Sequence, residues 1–209
     1  MVKQTDFAVL LNRFLTDYLP NKRGDSPQTI DSYRYSFIFL IDYYEETYRI
    51  GPDRLSLADI TYGKISGYFD WLQETKLSSV STRNQRQAAI NSFIRFLMYE
   101  RPEYLNEYQR ILAIPVKKAP QKEISYLKTD GVSALMGTVD TSKANGLRDY
   151  VILMLLYSTG IRVSELVNLK IRDISLHMPY TLLVHGKGGK SRYVPLLKDA
   201  VPILSLIHI

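Results

Sequence analysis

Residues Leu156–Leu166 read LYSTGIRVSEL, and they join a strongly apolar segment to a short amphipathic one. The apolar segment, 146–158, is hydrophobic nearly all round a helix, which predicts a helix buried within its domain. Gly160 can end this helix, because glycine adopts the left-handed conformation of a helix cap at little cost. A second, short helix is predicted over 163–169, and it would begin directly after Arg162.

Arg162 is the first candidate functional residue. At a helix start its guanidinium would project beside free backbone amides, a setting that favours an anion. Its planar fork could grip two phosphate oxygens at once. Glu165 follows one turn later, close enough to hold the arginine in place. The spacing fits a purely structural Arg–Glu pair equally well, so both interpretations stay open at this point.

The second informative stretch is His185–Ser191, HGKGGKS. Its ending suggests a phosphate-binding nucleotide loop, but that motif needs a glycine at the position of Val184. The flanks, 181–184 and 192–194, are rich in β-branched and aromatic residues, which predicts strand, glycine turn and strand. We therefore predict a β-hairpin and reject an ATP site.

Composition limits the class of protein. The chain has 209 residues, of which 45% are hydrophobic and 11% aromatic, enough for packed cores. It has no cysteine, so disulfides and thiolate metal sites are excluded. The first residues show no signal peptide, and no apolar run is long enough to span a membrane. We expect a cytoplasmic protein.

The net charge of +6 is unevenly distributed. Residues 1–115 are balanced, with 14 basic and 14 acidic residues, whereas residues 116–209 hold 13 basic against 7 acidic ones. Lys76, Arg83, Arg86 and Arg95 also occur with no acid between positions 75 and 99. Two basic zones would attract a polyanion, although a solvated surface explains the charge equally well.

The first half of the chain is predicted to form four helices packed as a bundle, residues 1–114. Residues 115–125 contain two prolines and three lysines, a composition typical of a linker. The second domain would then be 126–209. The helices are predicted to begin at the stripe Phe7–Tyr18, at Pro27 after a Ser26 cap, near Thr61 and near Ser81.

Several stretches closely resemble the tyrosine recombinases, the phage integrase family. The resemblance implies a mainly α fold: an N-terminal four-helix core-binding (SAM-like) bundle, and a partial α+β catalytic domain with a small β-hairpin or sheet. The match is specific in the second domain and weaker in the bundle. The matching residues are Thr159–Leu166, Asp173-Ile174 and Gly186–Leu196, with Thr29, Tyr33, Ser81–Arg86 and Ser92-Phe93 in the bundle.

The resemblance implies a role for each matched catalytic position. Arg162 would bind the scissile phosphate and stabilise its developing charge, and Glu165 would support that arginine. Lys187 would reach a base beside the cleavage site and protonate the leaving 5′ oxygen. Phosphoryl transfer needs fixed positive charge and an acid for the leaving group, so no metal or other cofactor is expected.

The resemblance also implies duplex DNA as the partner, held between both domains, and self-association on DNA, a tetramer in the intact family. In the fourth helix Thr82 would act as the cap, and Arg83 and Arg86 would face DNA. An exposed, solvated helix face is the alternative interpretation. The predicted DNA-binding residues are Thr82, Arg83, Arg86, Lys117, Lys118, Lys190 and Arg192.

The sequence departs from the family pattern after the hairpin. None of His177, His185 and His208 begins a His-x-x-Arg box, and Tyr193, in the hairpin strand, is the only tyrosine after Lys187. We therefore expect a C-terminally truncated recombinase that binds duplex DNA without cleaving it. The alternative is a non-catalytic DNA-binding protein or regulator derived from a recombinase.

Overall fold

The computed structural model of the chain describes residues 4–120 and 126–207, without the side chains of residues 187 and 205–207. The chain divides into two compact units, Met1–Lys122 and Glu123–Ile209. The predicted linker, 115–125, spans this division, and its last part, 121–125, lies outside the described residues. In the described parts, no helix combines the length and the apolar content that a membrane span requires.

The first unit is helical, and the four predicted helices are present. The first one continues from Phe14 as a π-helical segment, which keeps the hydrophobic stripe turned towards the core. A further helix was not predicted, and it adds Tyr108 and Ile111 to the core. The helices are α1 (Asp6–Arg13), the π-helical segment (Phe14–Lys22), α2 (Pro27–Tyr48), α3 (Tyr62–Glu74), α4 (Val80–Glu100) and α5 (Leu105–Leu112), with 3-10 turns at Leu57–Asp59 and Pro102–Tyr104.

The helix starts follow the capping signals, with one correction. The Ser26 side chain accepts a hydrogen bond of 3.3 Å from the Thr29 amide, as expected of an N-cap. The prediction that Thr82 caps α4 is wrong, because the helix begins earlier than predicted. Ser79 is the cap: it lies in extended backbone, and its Oγ accepts from the Thr82 amide at 3.1 Å.

Aromatic rings fill the core of the first unit. The Phe14 ring lies 5.1 Å from Phe93 and 6.1 Å from Phe37, measured between centroids. These pairs are tilted or edge-on, the arrangements that the charge distribution of aromatic rings favours. Burial of one such ring contributes roughly 1.5–3 kcal/mol. These aromatic contacts pack α2 and α4 against the first helix of the bundle.

The second unit combines helices with a small antiparallel sheet of order β1-β2-β3. In the predicted hairpin, Leu183 pairs with Tyr193 and His185 with Ser191. Leu182 and Val184 point into the core of this unit. The elements are α6 (Thr129–Gly137), α7 (Ala144–Thr159), α8 (Val163–Val167), β1 (Ile174–Ser175), β2 (Thr181–His185), β3 (Ser191–Pro195) and α9 (Ala200–Ile207), with 3-10 turns at Ile171–Asp173 and Lys187–Gly189.

Helix α7 is less buried than its composition predicted. Val151 and Leu155 are buried, residues 152–154 are half-buried, and Tyr157 is 58% exposed. The described part of the chain therefore buries only one side of this helix, whereas its composition alone predicts burial all round. The described elements packed against α7, namely α6, α8 and α9, leave part of its surface exposed.

Candidate functional site

The turn between α7 and α8 places Arg162. Gly160 adopts a left-handed conformation with φ of 62°, and its amide bonds the Leu156 carbonyl at 3.1 Å, which closes α7 as predicted. The chain then extends, and Arg162 lies directly before the first residue of α8. Its side chain is 73% exposed. The guanidinium therefore stands at a helix start with a free face towards solvent.

Glu165 fixes the position of Arg162 through two hydrogen bonds. Its side chain is only 4% exposed. One carboxylate oxygen accepts from the backbone amide of Arg162 at 2.9 Å, and the other accepts from Arg162 Nη1 at 2.9 Å. The contact predicted from the three-residue spacing is thus present, and it orients both the backbone and the side chain of Arg162.

A second arginine reaches the same carboxylate from the hairpin. Arg192, in β3, donates through Nη1 and Nη2 to the two oxygens of Glu165, each at 2.9 Å. This two-point pairing is the geometry in which guanidinium and carboxylate interact most strongly. Arg192 was predicted to bind DNA, and no local pattern indicates this pairing with Glu165 across 27 positions.

The two arginines set the charge of the site. The hydrogen bonds from Arg192 and from the Arg162 amide and side chain lower the pKa of Glu165 to about 2. The same pairing raises the pKa of Arg192. Two guanidinium groups on one carboxylate give the cluster a net positive charge on a fixed frame. Such a frame can bind an anion without first reorganising its dipoles.

The glycine loop of the hairpin begins beside this cluster. The Gly186 amide donates to the Lys190 carbonyl at 2.7 Å, and a Cβ atom at Gly186 would lie 3.4 Å from Glu165 Oε1. Gly188 and Gly189 have φ of 74° and 73°, which side chains rarely adopt. Lys187 follows Gly186 directly. Its side chain lies outside the described atoms, so its position relative to Arg162 stays a prediction.

Asp173 is a second buried carboxylate, and like Glu165 it accepts a hydrogen bond from the backbone amide three residues earlier. Asp173 is 6% exposed and accepts from the Lys170 amide at 2.9 Å, which lowers its pKa. The Nε2 atom of His185 lies 3.6 Å from it, and His185 Nδ1 is 2.8 Å from Ser191 Oγ. Sequence reasoning missed both contacts of Asp173. The contact with Lys170 has a sequence signal, because Lys170 and Asp173 have the same spacing as Arg162 and Glu165.

In the first unit the structure contradicts the exposed position predicted for Arg83. Its side chain is 3% exposed and stacks on the Phe69 ring, with Cζ 4.7 Å from the centroid. Nη1 donates to Gln87 Oε1 at 2.5 Å and to the Pro115 carbonyl at 3.3 Å. Arg83 faces inwards because it shares a helix face with Gln87, which is also buried.

The other predicted DNA-binding residues of the first unit are more accessible. Thr82 and Arg86 line a shallow groove between α2 and α4. Arg86 stacks on Phe39, with Cζ 3.7 Å from the ring centroid. Lys117 and Lys118 are exposed, as are Lys190 and Arg192 in the second unit. In the described residues no group of His, Asp and Glu side chains could hold a metal ion.

Comparison with known proteins identifies the class. The sequence profile of the phage integrase family matches residues 125–207, and that of the phage integrase N-terminal SAM-like domain matches residues 11–101. The chain therefore belongs to the phage integrase family, the tyrosine recombinases, as its motifs predicted.

Individual relatives support the same family assignment. The Sinorhizobium fredii protein y4rC, named as an integrase/recombinase, is 36% identical over 204 residues, 98% of this chain and 61% of that protein. Tyrosine recombinase XerD of Listeria monocytogenes is 32% identical over 196 residues, 93% of this chain and 62% of its own length. The XerH site-specific recombinase in a post-cleavage complex with difH matches the fold with a TM-score of 0.65 at 20% identity, covering 99% of this chain and 63% of that one. The chain spans less than two thirds of each of these relatives.

Proposed function

We propose that this chain binds duplex DNA and supplies the phosphate-binding part of a site for site-specific strand breakage and rejoining. The observation that carries the proposal is the pairing of Arg162 and Arg192 on the buried carboxylate of Glu165. Family membership and the DNA-bound state of XerH, a protein of similar fold, support duplex DNA as the ligand.

The roles of Arg162 and Arg192 differ because their side chains are exposed to different extents. Arg162 is the more exposed arginine, so its guanidinium is the one that meets the scissile phosphate. Arg192 is more covered and both its terminal nitrogens are used by Glu165, so it serves mainly to lock the carboxylate. Charge held in this way stabilises the negative charge that builds up on the phosphate oxygens during transfer.

Lys187 is the proposed acid for the leaving oxygen. Its neighbour Gly186 packs against Glu165, which brings the backbone of the loop to the arginine cluster. A loop with two left-handed glycines lets a lysine approach a DNA backbone closely. An ammonium group can donate a proton to an alkoxide as the bond to phosphorus breaks.

We propose that the covalent step uses a nucleophile other than Tyr193. Tyr193 alternates with Arg192 along β3, so the two side chains leave the strand on opposite faces. The Tyr193 ring is 73% exposed and is directed away from the cluster. We propose that the chain alone binds DNA without cleaving it, and that assembly into a tetramer on DNA accompanies recombination.

Binding of a labelled, mixed-sequence duplex, followed by fluorescence anisotropy over a range of salt concentrations, tests the DNA-binding part. The affinity should fall steeply with salt, since phosphate contacts release counterions. Arg162→Gln should weaken binding. Arg148→Gln should not, because Arg148 is an exposed arginine of α7 that already pairs with Asp149. A chain that binds no duplex, or equal losses in both variants, would contradict the proposal.

A nicked suicide substrate tests the second part. On this substrate a tyrosine attack would become irreversible and leave protein covalently attached to DNA. The unchanged chain should leave no such adduct in a denaturing gel. A covalent adduct would show that a tyrosine of this chain does attack phosphate.

A further inference from the structure

The base of the glycine loop, residues 186–190, is the last paired position of the hairpin. There His185 of β2 lies opposite Ser191 of β3. The Nδ1 atom of His185 is 2.8 Å from Ser191 Oγ, a hydrogen-bond distance that joins the two strands side chain to side chain. Lys187, the proposed acid, follows two residues after His185. Any contact that fixes this last pair therefore limits where the loop and its lysine can lie.

The two faces of the hairpin contact different carboxylates. Side chains alternate along a strand, so the neighbours Ser191 and Arg192 leave β3 on opposite faces. On one face Arg192 donates to both oxygens of Glu165, each at 2.9 Å. On the other face His185 Nε2 lies 3.6 Å from Asp173 Oδ1. The base of the loop thus has one anchor made of two short hydrogen bonds and a second, longer one.

Asp173 is a fixed point for this second anchor. Its side chain is 6% exposed, and its Oδ2 atom accepts from the Lys170 amide at 2.9 Å. That hydrogen bond, and after it the charge of His185, holds the pKa of Asp173 below its usual range. A buried carboxylate is stabilised by a cation at its second oxygen, and His185 is the side chain that faces this oxygen.

The protonation state of His185 decides how strong the second anchor is. A neutral ring has one N–H, so it meets both partners only as the tautomer in which Nε2 donates and Nδ1 accepts from Ser191. The imidazolium donates from both nitrogens and adds the attraction of opposite charges to its contact with Asp173. The separation of 3.6 Å is an ion-pair distance, longer than a hydrogen bond. The side chain is 56% exposed, so the ring can exchange its proton with water.

Among the charged groups next to His185, histidine is the type that changes its charge between about pH 5 and 8. The pKa of Glu165 is about 2 and that of Asp173 is lowered, so both carboxylates stay ionised in this range. Strand β1, on the other side of β2, has no charged side chain. The neighbouring elements contribute Asp173 and Arg172 from the 3-10 turn, Glu165 from α8, Arg192 from β3 and Lys190 from the loop.

We propose that His185 is a positioning residue, whose protonated ring bridges Asp173 to Ser191 and so holds the glycine loop in place beside the arginine cluster. The proposal rests on the proposed function, in which Lys187 of this loop protonates the leaving oxygen. Loss of the proton from His185 weakens the bridge to Asp173 and leaves the contact between Arg192 and Glu165 intact. The loop is therefore best ordered at the acidic end of the neutral range.

NMR of the isotope-labelled chain, without DNA, tests the bridge. The heteronuclear NOE of the Gly188 and Gly189 amides measures the order of the loop, and the ring protons of His185 report its charge. Between about pH 5 and 8 the NOE should fall as His185 loses its proton. His185→Gln cannot be charged, so its NOE should be low at every pH. His185→Arg is a permanent cation that can still pair with Asp173, so its NOE should stay high throughout.

His177→Gln is the matched control, because His177 lies between β1 and β2 and bonds Ser175 through its backbone carbonyl. It should reproduce the profile of the unchanged chain. A flat profile in the unchanged chain, or the same pH dependence in His185→Gln, would overturn the proposal. Duplex binding by fluorescence anisotropy keeps the proposed function separate. If loop order follows the charge of His185 in a chain that binds no duplex, the proposed function fails and the positioning of the loop by His185 stands.

Discussion

Arg83 of α4 and the two arginines that contact Glu165 show opposite ways of placing the same side chain. Arg83 is buried, rests on an aromatic ring and bonds only neutral acceptors, and burial lowers its pKa. Around Glu165 the carboxylate is the buried partner, and Arg162 and Arg192 keep exposed faces. A buried cation without a carboxylate serves the packing of its own unit, whereas exposed cations on a buried anion stay available to a ligand.

This contrast predicts that Arg83 matters most for stability. Arg83→Ala should lower the free energy of unfolding by about 2–3 kcal/mol, because it leaves buried acceptors unpaired and removes the stem packed on Phe69. Arg86→Ala, the same change one turn along α4, should cost less than half as much, since Arg86 is only half-buried. Urea unfolding measures both. Equal losses would mean that the burial of Arg83 has no special role.

The second prediction concerns the pH dependence of folding stability, which the Glu165 carboxylate should control in the acidic range. The folded-state pKa is about 2 against an ordinary value of 4.5, so the ionised carboxylate stabilises the fold above pH 4.5. That contribution is lost as the pH falls from 4.5 towards 2. Thermal unfolding of the unchanged chain should show this loss, whereas Glu165→Gln should be less stable at neutral pH and vary less with pH in that window. Parallel curves for the two proteins would contradict the assignment.

A smaller effect separates the two arginines that share Glu165. Arg192→Lys keeps the charge but loses the two-point pairing, so the pKa of Glu165 should rise from about 2 while staying below 4.5. Arg162→Lys should raise the pKa less, because the Arg162 amide still donates to the carboxylate. An NMR titration of the Glu165 carboxyl carbon measures both shifts. A larger shift for Arg162→Lys would reverse the roles proposed here.

The smallest effect is expected at Lys117. Its side chain is exposed and reaches only Gln73, at 2.5 Å, so Lys117→Ala should change the free energy of unfolding by less than about 0.5 kcal/mol. Its backbone bonds to Asn84 do not depend on the side chain. Asn84→Ala removes those bonds and should cost more in the same urea experiment. The opposite order would mean that the lysine side chain holds this segment.

The features that the sequence predicted well are short-range. The Ser26 cap, the left-handed Gly160 and the hairpin of β2 and β3 depend on residues within a few positions of one another, as does the contact between Arg162 and Glu165. The capping error at Thr82 has the same origin: Ser79 and Thr82 both suit a cap, and composition alone does not choose between them.

What the sequence could not supply is the set of contacts between distant segments. Arg192 lies 27 positions from Glu165, and Pro115 lies 32 positions from Arg83. A run of cations on α4 predicts a basic surface, but which of them faces outwards depends on Phe69 of α3 and on the segment after α5. Local patterns follow from backbone geometry and hydrogen bonds within a turn. Burial of a charge follows from the packing of elements that the chain brings together only on folding, and here that packing separates the buried Arg83 from Arg162, whose side chain keeps an exposed face.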